Sequence, residues 1–93
     1  MAAYKLARAA DMKLELIYEY SLLTFGARQA DAYYKGLRET FDLRAHMPLI
    51  GREFRGRRRH ENAEHIIFYR PVHYGVLIVQ LLHKSENVTS KIG

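Results

Sequence analysis

Residues 11–48 read DMKLELIYEYSLLTFGARQADAYYKGLRETFDLRAHMP, and their spacing decides the fold. Leu14, Ile17, Tyr18, Leu22 and Phe25 recur at three- and four-residue intervals, which place side chains on one face of an α-helix. Leu16, Tyr20 and Leu23 form a second apolar flank, and Asp11, Glu15 and Glu19 form an acidic stripe that begins near the positive helix start. The apolar arc is wider than one packing seam requires. It fits either a helix buried on two sides or a helix with one flank left as an open groove. Gly26 is expected to stop this helix in the left-handed conformation common at helix ends. A second amphipathic pattern follows at once. Ala30, Tyr33, Tyr34, Leu37, Phe41 and Ala45 make its inner face, and Arg28, Asp31, Lys35, Arg38 and Asp42 its outer one, up to a stop at Pro48. Gly36 costs about 1 kcal/mol against alanine inside a helix, so it is expected to mark close helix–helix approach. So short a link between the two helices implies an antiparallel hairpin.

Outward from the hairpin the chain is β in character. Tyr4-Lys5-Leu6-Ala7 alternates and opens as a strand. Arg57 to Asn62 is polar and reads as an exposed strand; His65 to Arg70 is β-branched and aromatic, and Pro71 is expected to break it. Tyr74-Gly75 turns the chain into Val76–Leu82, a run without alternation, expected to lie centrally in the sheet with both faces covered. The polar tail from Lys84 to Gly93 is expected to fray. The order β-α-α-β-β-β describes an α+β fold, an antiparallel helical hairpin packed on a small, mainly antiparallel sheet. With 93 residues the chain makes one domain, 1–93.

Composition narrows the chemistry. The chain has no cysteine, which removes disulfide scaffolds, cysteine zinc sites and thiol catalysis. Fifteen Lys and Arg against ten Asp and Glu give +5, and the segment REFRGRRR (52–59) carries five arginines and one glutamate. The basicity is therefore a local patch, either a solvated strand edge or a face for an acidic partner. The N-terminus MAAYKLARAADMK is interrupted by charge and lacks the apolar core of a secretory signal. The apolar run from Gly75 to Leu82 is far short of the roughly 20 residues a bilayer requires, so a soluble, cytoplasmic protein with no membrane contact is expected.

Familiar catalytic constellations are missing. HENAEH (60–65) is one residue longer than the zinc-protease motif and leads into a strand, and His46, His73 and His83 fit no ligand spacing. No metal and no cofactor are expected. Ser21, Ser85 and Ser90 lie in no nucleophile turn, and Gly51 and Gly56 lack the G-K-[ST] of a phosphate loop. One catalytic possibility stands. Arg58, Arg70, His83 and Lys84 could cleave RNA if the sheet gathers them, the cations stabilising phosphorane charge while a side chain moves protons. The plainer alternative is that Arg70 and His83 simply end strands.

Five stretches in order resemble the ParE toxins of bacterial toxin–antitoxin pairs, within the wider RelE/ParE superfamily. They are YKLARAAD (4–11), IYEYSLLTFG with RQADAYYKGL (17–37), MPLIGREFR (47–55), HIIFYR (65–70) and, most specific, VLIVQLLHKSENV (76–88). The resemblance implies a non-enzymatic toxin that blocks DNA gyrase, meeting DNA only within the gyrase complex. It also implies neutralisation by a ParD-like antitoxin in a toxin–antitoxin hetero-oligomer. Under that reading Leu16, Tyr20, Leu23, Arg52 and Arg55 would receive the antitoxin, by helix-in-groove docking and charge pairing. Arg57, Arg58, Arg59, His83 and Lys84 would face the target. Two alternatives stay open. One is a ribosome-dependent endoribonuclease of the RelE type, for which His83 speaks and the absence of any aromatic residue after Tyr74 speaks against. The other is a simple nucleic-acid-binding module using the arginine patch.

Overall fold

The computed structural model describes residues 3–54 and 56–86. Strand β1 (Ala3–Leu6) leads into helices α1 (Arg8–Phe25) and α2 (Ala27–His46). Strands β2 (Arg52–Phe54), β3 (Arg57–Asn62), β4 (His65–Val72) and β5 (Gly75–His83) follow. The sheet order is β1-β5-β4-β3-β2, with β1 parallel to β5 and every other pair antiparallel. The α+β class and the helical hairpin over one mainly antiparallel sheet are as the sequence predicts, with β2 added as a three-residue edge strand.

Helix α1 begins at Arg8, three residues before Asp11, behind an extended Ala7 that supplies no side-chain cap. Gly26 joins the helices in a single residue: its N–H donates to Leu22 O (3.0 Å), and its own carbonyl accepts the Ala30 N–H (3.0 Å). Its φ of +91° and ψ of 170° are not left-handed helical, as expected from sequence, but lie in a region that only glycine enters without strain. Gly36 is the second correction. Nothing lies within 4 Å of where its Cβ would stand, so no helix–helix approach requires it.

Pro71 does not end β4. Arg70 and Pro71 pair with Leu77 and Val76, and the ladder runs to Val72. The pairing with β3 stops at Arg58–Tyr69, so beyond Tyr69 that side of β4 is open and a proline nitrogen facing it removes no ladder bond. The β4–β5 register then explains the missing alternation. Phe68 pairs with Gln80 but Tyr69 pairs with Ile78, which leaves Val79 as an extra residue, a β-bulge. The bulge shifts the phase of β5, so that Val76, Ile78 and Leu81 all join one core. That core packs Ala10, Leu14 and Ile17 of α1 and Leu37, Phe41 and Ala45 of α2 against Ile67 and Tyr69 of β4. The opposite face carries a smaller cluster of Ile66, Phe68 and Leu82 with Val79 beside it. Strand β5 is interior, as predicted, but its unbroken apolar run comes from the bulge and these two unequal clusters.

The helix faces are rotated from the simplest reading. Ala10, Leu14, Ile17 and Ser21 form the buried stripe of α1, while Leu22 and Phe25 stay largely exposed. The second flank is not covered: Leu16 is 59% exposed, Tyr20 65% and Leu23 82%. The inner face of α2 is as predicted, with Ala30, Leu37, Phe41 and Ala45 buried and Tyr33 and Tyr34 half-buried. Lys84–Glu86, expected to fray, form a turn in which the Glu86 N–H donates to His83 O (2.9 Å); residues 87–93 lie outside the described residues.

Two glycines are required by crowding. A Cβ on Gly75, at φ +143°, would overlap the Ala3 carbonyl where β1 joins the sheet. A Cβ on Gly51 would overlap the buried Tyr69 hydroxyl, to which the Gly51 N–H donates at 2.8 Å. Urea denaturation should therefore separate the glycines. Gly36→Ala is expected to raise stability by about 1 kcal/mol, whereas Gly51→Ala and Gly75→Ala each lower it by about 1–3 kcal/mol.

Candidate functional site

The exposed flank of α1 forms one wall of a groove of about 890 Å³. Leu16, Ile17, Tyr20 and Phe25 supply that wall, Ala32 and Tyr33 of α2 line the groove, and the β3–β4 turn and the end of β5 close it. The surface is open because the α1 stripe that meets the sheet occupies only part of the helix circumference. Of the three residues singled out on that flank, Leu16 and Tyr20 line the groove, and Leu23 stands outside its lining.

The end of the groove toward the sheet is polar. The Tyr33 hydroxyl lies 2.6 Å from His65 Nδ1 and 3.2 Å from Asn62 O. The His65 ring meets the His83 ring edge-on at 5.4 Å between centroids. His83 Nδ1 lies 3.1 Å from the Ser85 N and 2.7 Å from the Ser85 hydroxyl. Glu86 Oε1 accepts both the His83 N–H and the Lys13 ammonium, each at 2.8 Å, which fixes the end of β5 to α1. Burial lowers the His65 pKa below 6.5, with the neighbouring His83 and Lys13 adding to it and Glu86 and Glu64 opposing it. Burial likewise raises the Tyr33 hydroxyl above 10.

A second buried polar pair was not legible in the sequence. Arg44, on the sheet side of α2, is 8% exposed. Its Nη2 lies 3.0 Å from His60 Nδ1, while Nε and Nη1 have no hydrogen-bond partner among the described residues. An arginine nitrogen can only donate, so His60 accepts through Nδ1. Burial, reinforced by the Arg44 charge, lowers the His60 pKa below 6.5. His60 and His65 share the helix-facing side of the sheet, because a turn at Ala63-Glu64 makes HENAEH a hairpin and not one strand. Among the described residues no three His, Asp or Glu side chains are grouped to hold a metal ion.

The arginine patch divides by strand alternation. Arg58 pairs with core-facing Tyr69 and points to the helix side, where its Nη1 donates to Leu49 O (3.1 Å) and Gly51 O (2.8 Å). It holds the loop after α2, whose Leu49 and Ile50 are exposed. Arg59 lies on the outer face, with its guanidinium 5.8 Å from the Phe68 ring centroid and Nη2 3.5 Å from Glu61. Lys84 meets the same Glu61 at 3.4 Å. By alternation Arg57 and Arg70 share this outer face. Arg52 pairs its backbone with Arg59; its side chain, and all of Arg55, lie outside the described residues.

The sheet does not gather the set considered for RNA cleavage. His83 faces the groove beside His65, Arg58 is bound to loop carbonyls, and Arg70 and Lys84 are on the outer face. Along β4, Arg70 stands five residues from the His65–His83 rung, about 17 Å at strand spacing.

This geometry belongs to a chain with clear relatives. Residues 4–88 match the family described as ParE toxin of type II toxin–antitoxin system, parDE. Toxin ParE1 of Caulobacter vibrioides is 34% identical over an alignment of 97 residues that spans all of both chains. Toxin ParE1 of Mycobacterium tuberculosis is 34% identical over 90 residues, covering 91% of this chain and 92% of its own. A solved structure described as the chromosomal ParDE TA system from P. aeruginosa superposes with a TM-score of 0.74 at 20% identity, covering 89% of this chain and 96% of its own.

The two depressed histidines set a pH dependence. Unfolded histidines protonate near 6.5, whereas His60 and His65 in the fold do so only at lower pH. The unfolded chain therefore gains protons first on acidification, and stability falls as pH drops below 6.5. The melting temperature is expected to decline between pH 8 and pH 5.5, and His60→Asn or His65→Asn should flatten that decline. A melting temperature that rises over the same interval would contradict the assignment.

Proposed function

The chain belongs to the ParE toxin family of type II toxin–antitoxin systems, and from that membership we propose that it arrests growth by inhibiting DNA gyrase until a ParD-like antitoxin neutralises it. The groove beside α1 carries this reading. A surface that leaves Leu16 and Tyr20 more than half exposed is poorly suited to a lone soluble domain and well suited to an amphipathic segment. The antitoxin's apolar helix lies along Leu16, Tyr20 and the neighbouring Leu23, with Arg52 and Arg55 engaging its acidic residues, and the two proteins form a hetero-oligomer. The description of the P. aeruginosa relative as a ParDE system supports the class of partner.

Toxicity works by contact. Arg58, Arg70, His83 and Lys84 are spread over two faces of the sheet, which favours a binding protein over a ribonuclease. Arg57, Arg59 and Lys84 remain available on the outer face to the DNA held in the gyrase complex, and the protein acts in the cytoplasm. Among the described residues no helix is long and apolar enough to cross a membrane.

Two measurements test this reading. Purified protein should inhibit gyrase supercoiling, and the antitoxin encoded beside it should relieve the inhibition; no effect at stoichiometric excess removes gyrase as the target. Leu16→Asp and Tyr20→Asp each forgo burial worth about 1.5–3 kcal/mol, on the order of 10- to 100-fold in antitoxin affinity. Both variants should still inhibit gyrase, because they lie on the face opposite the outer cations.

A further inference from the structure

The outer face of the sheet has its own chemistry, separate from the groove. Arg58 and Tyr69 are the last paired residues of β3 and β4 and face the helix side, so Arg57 and Arg70, the next residue on each strand, belong to the outer side. Neither side chain has a hydrogen bond or ion pair with another described residue. Arg59 is next on the same face of β3, and Lys84 extends the row beyond it. Glu61 is the acidic side chain that meets this row, and it is shared between Arg59 and Lys84.

We propose that this face binds the phosphate backbone of duplex DNA through Arg57, Arg59 and Arg70, with Lys84 at its margin. Guanidinium groups suit phosphate because their planar donors engage two oxygens at once. The face has little to offer an acidic protein, since a protein interface needs an accessible apolar centre. Among the described side chains there, Ile66, Phe68 and Leu82 are 4%, 0% and 2% exposed, and Leu77 and Val79 are only part-exposed. Single strands are bound by stacking bases on open aromatic rings, and among the described side chains the ring on this face, Phe68, is fully buried. Duplex DNA needs neither, and it carries one charge per about 1.7 Å of axis. Binding is therefore independent of sequence, and it leaves the groove beside α1 free.

Fluorescence anisotropy of a labelled 20-base-pair duplex with the full chain tests the proposal. Neutralising three phosphates gives a slope of about −2.7 in log K against log salt, an affinity loss of about 40-fold between 50 and 200 mM salt. Arg57→Glu with Arg70→Glu should weaken binding at least tenfold at 50 mM and reduce the slope by about 2. Glu61→Gln, which releases Arg59 and Lys84, should tighten it. Arg28→Glu with Lys35→Glu makes the same change in net charge on the outer face of α2 and should leave the slope unchanged. Circular dichroism on every variant confirms that the helices persist. The proposal is overturned if the α2 pair weakens binding as much as the Arg57/Arg70 pair, or if no binding is seen at 50 mM salt. Tighter binding to a single strand of equal length overturns it as well. So does capture of polyglutamate, but not duplex, in a manner dependent on Arg57 and Arg70, which would assign the face to an acidic protein.

Discussion

Everything in this fold rests on how β4 and β5 are paired. A regular antiparallel ladder would send alternate residues of β5 to opposite faces throughout its length. The extra residue at Val79 breaks that rhythm once, keeping Val76 and Ile78 on the helix side before it and Leu81 after it. The helical hairpin meets an apolar surface longer than a straight strand of this composition would present. The same shift sends Leu82 to the outer face with Ile66 and Phe68, and gives that face a dry centre under its cations. Core, groove and basic face all follow from one register.

The hairpin sets how the helices use that surface. With Gly26 as the whole connection, α1 and α2 are held close and antiparallel, and α1 can give the sheet only the stripe through Ala10, Leu14, Ile17 and Ser21. Its remaining apolar residues have nowhere to pack within the domain. The groove is a geometric remainder, and its polar end is held by Glu86, which ties the β5 terminus to Lys13 on α1. The two faces of the sheet thus differ in chemistry: an apolar groove beside α1 on one side, a row of cations on the other.

Elements whose side-chain period reports directly on burial were legible from the sequence. The inner face of α2 is an example, because Ala30, Leu37, Phe41 and Ala45 are apolar and their outer neighbours charged. Helix α1 was legible as a helix but not in its rotation. With apolar residues on two flanks, the choice between Leu22 and Ser21 for the buried stripe is made by the sheet. Pro71 misleads because a proline breaks a strand only where its missing N–H is needed, and that depends on how far β3 extends. The bulge at Val79 leaves no composition signal in a uniformly apolar run. Arg44 was invisible for a related reason. A lone arginine near a helix end ordinarily snorkels to water, and only the position of β3 over α2 buries it against His60. At the candidate site, Leu16 and Tyr20 were readable as an unpaired flank, whereas the division of Arg57, Arg58 and Arg59 between two faces depended on the phase of β3.

The parallel pairing of β1 with β5 joins the beginning of the chain to its last strand: Ala3 meets Gly75 and Leu6 meets Ile78. During synthesis β1 is made before both helices and has no partner until β5 follows. The helical hairpin, built from local contacts, can form first, but the sheet cannot close around β1 until β5 arrives, and such long-range closure is intrinsically slow. The groove and the basic face thus depend on a strand pairing that spans the whole order of elements.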